Sequence, residues 1–195
     1  EAFTLLLDPA PAPDGVAVIT AHHVSEDAEV LGPEDAQVLV ATDDLAAALE
    51  GAGDLTVPGA IPGTIEVLAD DPTALAATLG IALAPESVLE ALRVDRCAPA
   101  IGIDTGERTL VQEALLDDAV SYDKGCYLGQ ETVARLHYRG HPNRTLRVLA
   151  LDAGEPPSAD APLVLEGKEV GRVTSSATDA ELGIDLDKAV FALVD

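Results

Sequence analysis

The chain has 195 residues and a formal charge of −24, from 35 Asp and Glu against 11 Lys and Arg. Its length allows one large domain or two small ones, and 48% hydrophobic content without an 18-residue apolar run predicts a soluble chain with no membrane span. The acidic excess argues against direct nucleic-acid binding, and 3% aromatic content leaves few platforms for stacking bases.

Glu1-Ala2-Phe3 lacks the basic start of a secretory signal, and the chain opens without Met into an apolar run. It reads as the product of a longer sequence, incomplete at its N-terminus. Cys97 and Cys126 are the two cysteines. In a chain without a signal they read as reduced thiols of a cytoplasmic protein, with a mutual disulfide as the lesser alternative.

In chain order, residues 3–7 and 15–21 read as strands, and Pro33 to Ala36 opens a short helix. Asp43 to Glu50 reads as helix closed by Gly51. Gly63 to Ala69 is a strand, and Asp71-Pro72 caps a helix ending at Gly80. Pro85 starts another helix, with Val88, Leu89, Leu92 and the region of Cys97 on one side. Residues 98–123 are turn-rich. A polar start then leads into the apolar-periodic segment Thr132 to Tyr138. Beyond His141-Pro142, short β-like runs at 145–151, 162–165, 169–175 and 189–194 alternate with Gly, Pro and Asp. The fold class is α+β: a mixed region over 1–141, then a small C-terminal β-barrel over 142–195.

The cations are unevenly placed. Residues 1–92 hold no Lys or Arg, and a basic stretch runs from Arg93 to Arg147. Ion pairing with neighbouring acids is one reading; a site for an anionic small molecule is the other. Within this stretch lies Lys124-Gly125-Cys126-Tyr127-Leu128-Gly129-Gln130-Glu131. It places a thiol near a cation and a helix start, both of which stabilise a thiolate. Against this stands cysteine's ordinary role as a small buried hydrophobe.

The run Lys124 to Glu131 resembles the signature of YgfZ-type folate-binding proteins, relatives of the glycine-cleavage T-protein, an aminomethyltransferase. Its continuation from Thr132 to Gly140 is similar to that family too, as are Leu92-Arg93-Val94-Asp95, Gln112-Glu113-Ala114 and Glu169 to Ser175. Residues 85–175 carry the resemblance. Against the family pattern, Asp95 stands for glutamate, Arg96-Cys97 for Ala-Gly, and Leu115 for glycine. The resemblance implies mixed domains around a folate pocket and a C-terminal barrel. It implies tetrahydrofolate, or a one-carbon derivative, as cofactor and a role supporting iron–sulfur enzymes and tRNA modification, those enzymes being the clients. It implies Cys126 as the functional thiol. Asp95, Lys124 and Arg135 would hold folate, and Gly125, Tyr127, Gly129, Gln130 and Glu131 complete the motif.

Two functions of other classes stay open: an aminomethyltransferase moving a one-carbon unit to tetrahydrofolate, and a non-catalytic interaction module. Lys124 and Arg135 have an alternative use in pairs with Asp117, Asp118 or Asp123, and Gln130 and Glu131 as helix-capping residues. His137 and His141 stand at metal-ligand spacing, but Gly140 and Pro142 break the helix, so no shared face and no metal site is expected. His137 is also a candidate base for Cys126 in a hydrolase. No glycine-rich phosphate loop is present.

Overall fold

The computed structural model describes residues 37–53, 55–151, 155–178 and 188–194, the last stretch and Leu151 by backbone only. The elements expected at 3–7, 15–21 and 33–36 lie outside these residues.

Three strands form the first sheet: β1 (Val38–Thr42), β2 (Leu55–Pro58) and β3 (Thr64–Leu68), antiparallel in the order β1-β3-β2. Central β3 pairs on both sides, with Val40 opposite Glu66 and Val57 opposite Glu66. Only β3 was legible beforehand. The other two are edge strands of four or five residues, too short to show more than one alternation.

Two helices cover this sheet. A 3-10 turn (Asp43–Leu45) leads into α1 (Ala46–Leu49), and Asp71 accepts the Ala74 N–H at 2.9 Å to cap α2 (Pro72–Leu79). Leu39, Leu49 and Val67 form the buried centre, with Leu75, Leu79 and Ile81 packed around it. Gly80, at φ 69, ends α2 in a left-handed residue that glycine adopts without strain.

Helix α3 (Glu86–Asp95) faces the second sheet. Ala91 and Val94 are buried against Leu146 and Ala177, with Val148 alongside. The expected stripe is thereby corrected: Leu89 is 37% exposed, and the buried positions are Ala91, Arg93 and Val94. Cys97 also lies outside the helix and exposed, because α3 ends at Asp95 and the chain turns away.

The second sheet holds β4 (Thr145–Leu151), β5 (Pro162–Leu165), β6 (Lys168–Ser176) and β7 (Lys188–Val194), antiparallel in the order β4-β7-β6-β5. Glu166 and Gly167, at φ 51 and 80, turn β5 tightly into β6. All four runs fall where the alternation put them. Among the described residues the sheet is open rather than a closed barrel. Its edges β4 and β5 do not pair, and β5, at four residues, bonds to β6 alone.

Candidate functional site

The cysteine loop stands on the entry to α4 (Gln130–Arg139). Gly129, at φ 83, makes the left-handed turn into the helix. The Tyr127 N–H donates to Gln130 Oε1 at 3.1 Å, and the Gln130 N–H returns to the Tyr127 carbonyl at 3.4 Å. Gln130 therefore works as a cap that closes the loop on itself. The loop presents Lys124, Gly125 and Cys126 to solvent, and both cysteines are free thiols, so no Cys97–Cys126 disulfide forms. Glu131 is exposed in the first turn of α4.

Ion pairing divides the basic stretch. Arg93 pairs with Glu90 and Asp104, Arg96 with Asp95, Arg144 with Glu113, and Arg172 with Asp160. Lys124 and Arg135 are exposed and have no carboxylate within ion-pair distance among the described residues, so the expected pairs with Asp117, Asp118 or Asp123 are absent. Lys124 instead holds its Nζ 4.5 Å above the Tyr127 ring. Asp95, the last residue of α3, holds its Oδ2 3.2 Å from Arg96 Nε as an ion pair. Among the described residues no hydrogen bond or ion pair joins Asp95 to Lys124, Arg135 or Cys126.

The other motif residues hold the frame. Glu113 is buried; it accepts the Leu110 N–H at 3.0 Å and Arg144 Nε at 3.3 Å. The Glu113 carbonyl accepts the Leu146 N–H at 2.8 Å, tying this turn to β4. Arg93 is buried with Asp104, and burial alone works against its charge. Glu90 and Asp104 outweigh that and hold the guanidinium above its ordinary range.

A constellation missed in the sequence sits at the other end of α4. Gln112 Nε2 donates to the Val133 carbonyl at 3.1 Å and to the Tyr122 hydroxyl at 3.3 Å. Tyr122 donates in turn to Asp117 Oδ1 at 2.8 Å. His137 stacks on Tyr122 at 3.7 Å between ring centroids, its Nδ1 3.7 Å from Asp117 Oδ1. Gln112, Asp117 and His137 border a cleft of about 380 Å³, lined also by Leu136, His141 and Thr145, among others. His137 and His141 line one cleft, although the helix ends at Arg139, between them, as Gly140 and Pro142 led one to expect. The helix break redirects the backbone without carrying His141 away. With its ring against Tyr122 and Asp117, His137 is committed here and not to Cys126. The only signal in sequence was three tyrosines and two histidines within the twenty residues 122–141, with no periodicity to join them. Among the described residues no three His, Cys, Asp or Glu side chains converge as a metal site.

No protein-family model matches the chain. It is 38% identical over 92 residues to the tRNA-modifying protein YgfZ of Sodalis glossinidius, covering 46% of this chain and 28% of the relative. It is 37% identical over 87 residues to a putative chloroplastic transferase of Arabidopsis thaliana, covering 44% and 19%. YgfZ of Colwellia psychrerythraea is 33% identical over 90 residues, covering 45% and 28%. The chain thus spans less than a third of the length of these curated relatives. Repeated likeness to YgfZ proteins, at 33–44% identity over part of their length, supports a YgfZ-type family for this chain.

Proposed function

We propose that the chain acts in tRNA modification as a tetrahydrofolate-binding accessory of iron–sulfur enzymes, with Cys126 as its working thiol. One observation supports the site: among the described residues Lys124 and Arg135, like Arg108, Arg139, Arg147 and Lys168, are exposed without carboxylate partners, and Lys124 stands two positions from the exposed Cys126. In a chain of charge −24, an unneutralised lysine two positions from an exposed thiol suits an anionic ligand. Its likeness to tRNA-modifying YgfZ proteins names the process. The same acidity favours an accessory role over direct contact with tRNA.

By residue type, though not by any contact joining them, these side chains suit a reduced folate. Lys124 and Arg135 suit the carboxylates of its glutamate tail, and Asp95 retains Oδ1 for N–H groups of the pterin ring. Bound tetrahydrofolate would supply one-carbon chemistry. The protein's part is to hold the tail by charge and to keep Cys126 open to solvent or a client. Client iron–sulfur clusters are served, not housed, since a lone cysteine cannot ligate one.

Titration with tetrahydrofolate tests this reading. Wild type should bind, while Lys124→Ala and Arg135→Ala each weaken affinity about tenfold. In cells lacking a YgfZ protein, the full-length wild type should restore iron–sulfur-dependent tRNA modification and Cys126→Ala should not. Full rescue by Cys126→Ala would remove the thiol from the function. A one-carbon transferase is the second reading, favoured by the likeness to a putative transferase. Turnover of a methylamine donor with tetrahydrofolate would select it.

A further inference from the structure

The cleft at the C-terminal end of α4 has an unmet hydrogen-bonding demand that the folate reading leaves untouched. Gln112 is 7% exposed, and its amide nitrogen serves the Val133 carbonyl and the Tyr122 hydroxyl. That pairing sets the amide's orientation, because the flipped form would oppose its oxygen to the Val133 carbonyl. Gln112 Oε1 is then left buried without a hydrogen-bond partner among the described residues. Native proteins rarely leave a buried acceptor unpaired, since it forfeits its bond to water and gains nothing.

Asp117 adds a second acceptor. Its Oδ1 takes the Tyr122 hydroxyl and faces His137, while its Oδ2 has no partner among the described residues. Gln112 and Asp117 line the same cleft, with the imidazole of His137 beside them. An anion would meet one carboxylate and one carbonyl dipole there, both repulsive. A metal would find too few ligands among the described residues. A group with N–H donors and positive charge meets both demands, and a flat one can lie against the His137 ring that lines the cleft.

We propose that this cleft binds a planar amidinium or guanidinium group, one N–H donating to Gln112 Oε1 and another to Asp117. The group belongs to a free small molecule or to an arginine side chain of a peptide. The proposal uses none of Asp95, Lys124, Cys126 or Arg135, so it stands or falls separately from the folate reading.

Isotope-labelled full chain titrated with methylguanidinium tests it, following the Gln112 side-chain amide and His137 ring signals by NMR. Saturable shifts are expected, with affinity at least about tenfold above that for tetramethylammonium, which has charge but no N–H donor. Asp117→Asn, a change at a half-exposed position, should weaken binding about tenfold, while Asp118→Asn should leave it unchanged. Equal response to both cations, or equal loss in both variants, would mean counter-ion attraction to an acidic surface and would overturn the proposal. Acetyl-arginine-amide is the second arm: binding as tight as methylguanidinium assigns the site to an arginine side chain, and exclusion of it assigns a free small molecule.

Discussion

Arg93 Nη1 lies 2.5 Å from Asp104 Oδ2, a charged pair buried where α3 meets β6. Each guanidinium nitrogen has an acceptor: Glu90 takes Nε, Ala98 and Asp104 take Nη1, and Ser175 Oγ takes Nη2 at 2.9 Å. Asp104 is equally satisfied. Its Oδ2 also accepts the Ala100 N–H at 2.9 Å, and its Oδ1 accepts Thr174 and Ser175 at 2.5 and 2.6 Å. The cluster clasps helix, turn and sheet together, so the arginine of the Leu-Arg-x-Asp element is a structural residue. Removing the Asp104 charge leaves the buried guanidinium only the exposed Glu90 carboxylate as a partner. Asp104→Asn should therefore cost about 3 kcal/mol in urea unfolding. The double change Arg93→Met with Asp104→Leu should recover much of that loss, and a double change no better than the single one would contradict the account.

Cys97 and Leu115, which stand where the resembled family has glycine, both adopt φ 60. At the end of α3, the Cys97 N–H bonds to the Val94 carbonyl and the Ala98 N–H to the Arg93 carbonyl at 2.9 Å. That geometry closes a helix around one left-handed residue, which in α2 is Gly80. An L side chain there is strained by about 1–2 kcal/mol, partly offset by glycine's greater entropy loss on folding. Cys97→Gly and Leu115→Gly should each stabilise the fold by about 0.5–1 kcal/mol. Chemical denaturation measures both, and a loss of stability in either variant would refute the strain at that position.

Burial, and then the Asp95 carboxylate, push the Cys97 thiol above its ordinary range. A raised value moves thiolate formation to higher pH, and the thiolate is the nucleophile. In a Cys126→Ala background, alkylation of Cys97 at neutral pH should be slower than that of a free cysteine and should rise only at more alkaline pH. Asp95→Asn should shift that rise downward. An unchanged pH–rate profile in the Asp95→Asn variant would rule out the carboxylate's influence.

Burial and the hydrogen bond to Asp117 likewise raise the Tyr122 phenol. Its ionisation, followed through the ring-carbon NMR shift, should occur at higher pH than that of a free tyrosine. Asp117→Asn removes the repulsion between phenolate and carboxylate and should bring the midpoint down. Tyr122→Phe keeps the ring stack on His137 but frees Gln112 Nε2 and Asp117, so the Gln112 amide signals should move most.

The amino-acid sequence by itself determined the local features of this protein. Asp71-Pro72 and Gly80 bound a helix because capping and left-handed turns act within a few residues. The four runs of the second sheet were legible because alternation between Gly and Pro turns is a local pattern. Lys124 to Glu131 was legible as a loop entering a helix, with Cys126 in it. Tertiary structure decided everything that depends on distant partners. Arg93 lies 82 positions from Ser175 and Gln112 lies 21 from Val133, and no local pattern announces either meeting. It also decided which cations are spent: Arg93 and Arg144 find buried carboxylates, while Lys124 and Arg135 stay open to solvent. A charge's partner is set by where the chain returns, and that return is a property of the fold.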